Sequence, residues 1–316
     1  MPELRAAVVG AGRLGSLHAA KYAALDGVRL DWIVDVDRER AQTLAGRFGA
    51  DALTDYRELA GKTDIVTVAS PGVTHFEIAS HLLDAGFDVL LEKPMATTLD
   101  EARALAARAQ RSGRILQIGH LERFNPAILR LRSILKNPRF IECHRLAPFT
   151  ERGTDVDVVL DLMVHDLDVI LSLVAAEPVS VEAIGVAVLT DQVDVANARL
   201  RFADGLIANL SVSRVAPRRE RKIRFFQPDA YISLDYEARR LQVYRKSPPP
   251  EGGAYPVISA EQIDLGEADP LADEVASFVR AVVARSTPAV TAHDGLRVID
   301  LIERIRAAME QPQSAP

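Results

Sequence analysis

Short apolar runs and helix-periodic stretches alternate along the first third of the chain. An apolar run spans residues 4–9, and a second, from Leu30 to Val34, follows a glycine turn and a helical segment. Residues 38–48 have helical spacing, a short apolar piece lies near Ala52, and residues 56–59 make one helical turn. Residues 65–69, apolar and rich in β-branched side chains, read as a parallel strand buried on both faces. Residues 74–85 place Ile78, Ala79 and Leu82 on one helical face, and Gly86 ends the helix. A strand at 89–91, an alanine-rich helix at 100–112 stopped by Gly113, and a sixth strand at 115–118 complete a doubly wound α/β pattern.

The pattern changes after residue 120. Residues 126–135 predict a helix, 139–146 a strand, and 156–174 one long helix. Segments 179–189, 194–202, 206–215, 221–227 and 230–234 then alternate as antiparallel strands do, with Asp204-Gly205 as a hairpin turn. A loop at 247–253, helices at 271–285 and 292–309, and a frayed tail at 311–316 close the chain. The predicted fold is α/β: a Rossmann domain over 1–120, then an α+β domain with a mainly antiparallel open sheet over 121–316. The last helix is expected to pack back on the first domain.

Between the first two predicted strands stands G-A-G-R-L-G. Gly10 permits the tight turn, Gly12 lets the backbone approach a pyrophosphate, and Gly15 lets the helix pack closely on the strands. Arg13 and Leu14 open that helix, whose N–H groups and positive dipole end suit phosphates. Asp35 ends the second strand, where a carboxylate accepts hydrogen bonds from both ribose hydroxyls of NAD and repels the 2′-phosphate of NADP. NAD is therefore the expected cofactor. Asp37 reads as a helix cap, and Arg38 is the residue that would favour NADP if Asp35 turned away.

Composition narrows the partners. At 316 residues the chain suits two domains, and 48% apolar with 26% charged residues is ordinary for a globular protein. A net charge of -6 argues against nucleic acid, and the basic stretch 218–222 reads as a solvated edge or loop. The single Cys143 excludes an internal disulfide and fits a reducing compartment. No apolar stretch reaches membrane-spanning length, and Glu3 and Arg5 spoil a signal peptide, so a cytoplasmic protein is expected.

Three clusters carry chemistry. Glu92-Lys93-Pro94 ends a parallel strand, where open α/β sheets bind ligands; the Lys93 ammonium there would polarise a substrate hydroxyl near the nicotinamide, with Glu92 orienting it or simply capping local structure. Ser70 and His75 lie beyond the preceding strand, on the expected nicotinamide side, although a histidine there also suits a helix start. In D-L-M-V-H-D-L-D (161–168), Asp161 and His165 share a helix face, and histidine suits removal of a hydroxyl proton near neutrality. Asp166 and Asp168 read as helix-surface or substrate-rim residues. One histidine without nearby cysteines makes a poor metal site, so no metal is expected. In G-H-L-E-R-F-N-P (119–126), His120, Arg123 and Asn125 are candidate substrate contacts at the mouth of the cleft, although His120 also suits a cap before the next helix, with His144 and Arg145 facing from the opposite wall.

V-V-G-A-G-R-L-G, E-K-P and D-L-M-V-H-D together resemble the Gfo/Idh/MocA oxidoreductase family from Leu4 to about Met309. The resemblance implies an N-terminal Rossmann domain and a C-terminal domain whose open sheet often forms a dimer or tetramer face. It also implies oxidation or reduction of a sugar, cyclitol or nucleotide-sugar carbinol. His165 would be the acid/base, with Lys93 and Asp161 orienting substrate and assisting proton transfer. The 119–126 and 161–168 segments further resemble UDP-N-acetylglucosamine 3-dehydrogenases, whose 3-keto product is aminated for diamino sugars of lipid A. Alternatives within the family are inositol or free-sugar dehydrogenases and NAD-dependent glycosidases. A non-catalytic NAD-binding regulator would be expected to lack the lysine and acid/base pair that this chain keeps.

Overall fold

The computed structural model describes residues 3–151, 153–249 and 255–310. The expected tail at 311–316, and the expected loop from residue 250 to 253, lie outside the described residues. The chain forms two compact units, Met1–Phe124 with Asp269–Asp300, and Asn125–Ala268 with Leu301–Pro316.

In the first unit the order is β1 (Leu4–Val9), α1 (Arg13–Ala23), β2 (Val28–Val34), α2 (Arg38–Phe48), β3 (Asp51–Leu53), β4 (Ile65–Val68), α3 (His75–Asp84), β5 (Asp88–Glu92), α4 (Leu99–Ser112) and β6 (Leu116–Gly119). All six strands are parallel, in the order β3-β2-β1-β4-β5-β6. Chain direction across the sheet reverses between β1 and β4, so their carboxyl ends flank the crevice where such sheets bind dinucleotides. Val8, Ile33, Ile65, Leu90 and Leu91 are fully buried, as the unbroken apolar runs require. A Thr98–Glu101 capping box opens α4 and the left-handed Gly113 closes it.

The second unit contains α5 (Pro126–Ile134), β7 (Phe140–Leu146), α6 (Val164–Leu173), β8 (Pro178–Val186), β9 (Val195–Phe202), β10 (Ile207–Ser213), β11 (Glu220–Gln227), β12 (Ala230–Asp235), β13 (Arg240–Ser247) and β14 (Val257–Ile263). The sheet runs β14-β13-β12-β11-β7-β10-β9-β8. Its pairs are antiparallel except β7 with β10, which run parallel. At the Asp204-Gly205 turn, Phe202 N donates to Leu206 O at 2.9 Å, and Gly205 takes φ +86°. The basic stretch 218–222 is no simple loop, because Glu220 opens β11 and Arg221 and Lys222 lie 3.5 and 3.3 Å from Glu237 and Asp235.

Two helices follow, α7 (Pro270–Ala284) and α8 (Ala292–Glu310). Val275 and Phe278 of α7 join the same buried cluster as Ala6, Tyr22 and Ile65. The first unit is thus discontinuous in sequence, which a single division at residue 120 does not capture. No helix of the described residues is long and apolar enough to cross a membrane.

Candidate active site

The glycine turn is shaped by close approach. At Gly10, with φ +103°, an added Cβ would lie 2.6 Å from Ala69 O, and at Gly15 it would lie 1.7 Å from Gly10 O. Neither position tolerates a side chain. Gly12 differs, since a Cβ there meets nothing within 4 Å. It caps α1 without a side-chain hydrogen bond, so the helix start with Arg13 and Leu14 is left open to an anionic ligand.

Asp35 is fixed beside this turn. One carboxylate oxygen accepts from Ala11 N at 2.7 Å and the other from Asp37 N at 2.9 Å. An ionised carboxylate has about four acceptor positions, so room remains for two ribose hydroxyls. Asp37 caps α2 by accepting from Glu39 N and Arg40 N, and Arg38 is exposed on the first turn. The residues fit NAD. Wild-type enzyme is expected to favour NAD over NADP at least about tenfold in kcat/KM, or roughly 1.4 kcal/mol. Asp35→Ala should narrow that ratio. Steady-state kinetics with both cofactors checks this, and NADP preference in the wild type would reassign the pocket to Arg38.

The E-K-P turn is held from behind. Glu92 is 6% exposed; one of its oxygens lies 2.7 Å from His18 Nε2 and the other accepts from Lys93 N at 3.2 Å. Burial alone would raise the Glu92 carboxyl, but the hydrogen bond from His18 and the nearby charges hold it below its ordinary range. Lys93 is half-buried. His75 is buried, with its ring nitrogens 2.7 Å from Pro94 O and 2.9 Å from Ser70 O. Burial lowers its pKa, and a neutral ring donates to only one of these two carbonyls. The Ser70 hydroxyl pairs with Thr74 at 2.7 Å.

Among the described residues, His18, Glu92 and Glu274 bring metal-ligand atoms within 4.8 Å of one another. The His18–Glu92 spacing of 2.7 Å is that of a hydrogen bond.

His120 is 2% exposed, and the Arg123 guanidinium is 3.4 Å from Asp294, which caps the start of α8 by accepting from Thr291 N. Asn125 caps α5 by accepting from Ala127 N at 3.0 Å.

In the second unit the expected long helix begins instead with a π turn at Val159–Met163 before α6. Wider turns of this kind recur at functional sites. Asp157 accepts from Val159 N and Leu160 N at its start and is held by Arg306 at 2.6 Å. Asp161 and His165 are half-exposed, while Asp166 and Asp168 are buried, which corrects their reading as surface residues. Asp166 forms a two-point ion pair with Arg145 at 2.9 and 2.7 Å. Both side chains are under 5% exposed. Breaking such a pair strands a buried charge at a cost of about 3–5 kcal/mol, which removes Arg145 from the expected cleft wall and makes it interior scaffold. His144 faces Glu142 and Glu220.

The backbone packed against Asp161 is braced by residues that belong to no sequence motif. A Cβ on Gly153, at φ +72°, would lie 2.9 Å from an Asp161 oxygen. Arg214 donates to Gly153 O and Val156 O and lies 3.5 Å from the buried Asp194. Asp194 in turn accepts from the N–H groups of Val188, Leu189 and Thr190, which keep it far below the usual carboxylate range despite burial. The one signal was polarity inside otherwise apolar strand patterns.

The matches to known proteins follow the same division. Residues 4–120 match the oxidoreductase family with an NAD-binding Rossmann fold, and residues 127–233 match the GFO/IDH/MocA C-terminal domain. The chain is 38% identical over 311 residues to UDP-N-acetylglucosamine 3-dehydrogenase of Acidithiobacillus ferrooxidans, covering 98% of each. A solved structure of that enzyme, GnnA, superposes with a TM-score of 0.91 over 98% of both chains. Myo-inositol 2-dehydrogenase of Thermotoga maritima is 25% identical over 331 residues, again covering 98% of each. By these matches and by its glycine turn, E-K-P and D-x-x-x-H residues, the chain belongs to the Gfo/Idh/MocA family of NAD-binding oxidoreductases.

Proposed function

We propose that the protein is an NAD-dependent dehydrogenase that oxidises the C3 hydroxyl of UDP-N-acetylglucosamine to the 3-keto sugar. The observation that carries this reading is the 38% identity along 98% of both chains to an enzyme of that name, compared with 25% to the inositol enzyme of equal coverage. NAD, when bound, accepts the hydride from the carbinol carbon. The chain's own residues manage the proton and the charge. His165 takes the hydroxyl proton as the C–H bond breaks and the carbonyl forms. Lys93 stabilises the oxygen as negative charge develops, and Asp161, packed against Gly153, fixes the orientation of histidine and hydroxyl. Gly10, Gly12, Gly15 and Asp35 hold the dinucleotide, and Asn125, half-exposed at the start of α5, is the sugar-nucleotide contact among the 119–126 residues; His120 and Arg123 are buried and support that segment.

A cytoplasmic enzyme supplying a keto sugar for amination, as in diamino sugars of lipid A, is the setting this reading suggests. A homodimer or homotetramer through the open sheet is part of it. The support is a half-exposed aromatic row, Phe140, Phe226, Tyr231 and Tyr244, with successive ring centroids 5.4, 5.0 and 5.3 Å apart across four strands. Exposed Val179, Ile184 and Val186 lie on β8 of the same sheet.

A panel of UDP-sugars, inositols and free hexoses, followed by NADH formation with a coupled amine-transfer step, tests the substrate. UDP-N-acetylglucosamine is expected to support turnover. Robust oxidation of myo-inositol and none of the UDP-sugar would sink the substrate and leave the dehydrogenase.

A further inference from the structure

Behind the E-K-P turn lies a set of buried polar groups that the proposed chemistry does not use. His18 on α1 is completely buried, and so is Glu274 on α7, while Glu92 at the end of β5 is 6% exposed. Gly119 on β6 completes the enclosure, because a Cβ there would lie 3.1 Å from a Glu92 carboxylate oxygen. Beyond this group Tyr22 and Thr67 share a buried hydrogen bond of 2.7 Å, and burial raises the Tyr22 hydroxyl. A carboxylate buried without a partner is strongly disfavoured, so a histidine kept at 2.7 Å from Glu92 has a consequence for the residue that Glu92 holds.

We infer that His18 is a positioning residue for the reaction: through the Glu92 carboxylate it fixes the main chain of Lys93. The chain of contacts is direct. His18 Nε2 meets one oxygen of Glu92, and the other oxygen accepts from Lys93 N. Each atom of the relay belongs to the first unit. From the far side of the turn, His75 meets Pro94 O. Lys93 thus follows a residue bonded to one buried histidine and precedes one whose carbonyl lies 2.7 Å from another. The relay rests on the reading of Lys93 as the group that stabilises the reacting oxygen.

The groups facing Glu92 are His18, His75, Lys93 and Glu274. Burial pushes the Glu92 carboxyl up, and His18 is the leading influence that brings it down. Without His18, Glu92 gains a proton at higher pH, and Lys93 N loses its charged acceptor.

The test uses full-length protein with selective ¹⁵N-lysine labelling, which gives few signals because the chain has six lysines. In the wild type the Lys93 amide signal should hold steady as pH falls through neutrality. In His18→Leu it should titrate in that range, and kcat should fall about 10–10²-fold with little change in NAD affinity, the scale expected of a misplaced catalytic group. Glu92→Gln removes the buried charge, so it remains informative if His18→Leu folds poorly. It should abolish any Lys93 amide titration and lower kcat similarly. His18→Asn, which keeps an N–H donor, should recover part of the activity. A Lys93 amide that behaves in His18→Leu as in the wild type overturns the relay. So does wild-type kcat in both His18→Leu and Glu92→Gln. Near-wild-type turnover of Lys93→Met would instead strike the reading of Lys93 itself, while the amide titration still decides whether His18 acts through Glu92.

Discussion

Replacing His165 with asparagine is expected to lower kcat by about 10²–10⁴-fold, the usual contribution of a positioned general base, while NAD binding stays close to wild type. Asparagine keeps a polar side chain of similar reach but cannot accept a proton near neutrality. The fold should tolerate the change, because His165 is half-exposed on α6 whereas its neighbours Val164, Asp166 and Leu167 are buried. Single-turnover hydride transfer in both proteins separates a slow chemical step from slow release. An H165N enzyme turning over at near the wild-type rate would remove His165 from the mechanism.

The parts of this site legible in sequence are those set over short distances. G-A-G-R-L-G and Asp35 lie within one βαβ unit, and local rules assign each a place: two glycines that admit no Cβ, one that faces open space, and a carboxylate at a strand end. The helix bearing His165 was legible as well, though the π turn that carries Asp161 was not, since a shift in hydrogen-bond register leaves no residue signature. Asp166 and Asp168 read as surface residues because α6 is buried nearly all round. In such a helix polarity no longer marks the solvent side, and only the strand bearing Arg145 shows where Asp166 points.

The brace through Arg214 and the His18–Glu92 contact join residues dozens of positions apart, which no periodicity reports. His18 did leave a trace, as a polar residue on the face of α1 that buries Gly15, Ala19 and Tyr22. The strands β13 and β14 were missed for different reasons. β13 has Leu241 and Val243 alternating with polar residues, a signal of only two positions. β14 is exposed along nearly its whole length, so its pairing with β13 rests on main-chain hydrogen bonds and not on an apolar face.

Lys93→Met is expected to lower kcat by about 10²–10³-fold, the loss seen when one donor to a developing oxyanion is removed. Methionine keeps the apolar stem, so what disappears is the ammonium. A unit charge about 4 Å from a developing alkoxide is worth about 4 kcal/mol at an effective dielectric constant of 20, which is enough for an effect of that size. The substitution should leave the fold intact, because Glu92 does not depend on the lysine for its partner: His18 meets it at 2.7 Å. Thermal unfolding and NAD affinity should therefore stay near wild type while turnover collapses. Lys93→Arg keeps the charge but spreads it over a planar fork, and should recover only part of the rate. If Lys93→Met turned over within about tenfold of the wild type, less than about 1.4 kcal/mol would remain for the ammonium. Lys93 would then be a half-buried residue of the E-K-P turn with no part in the chemistry.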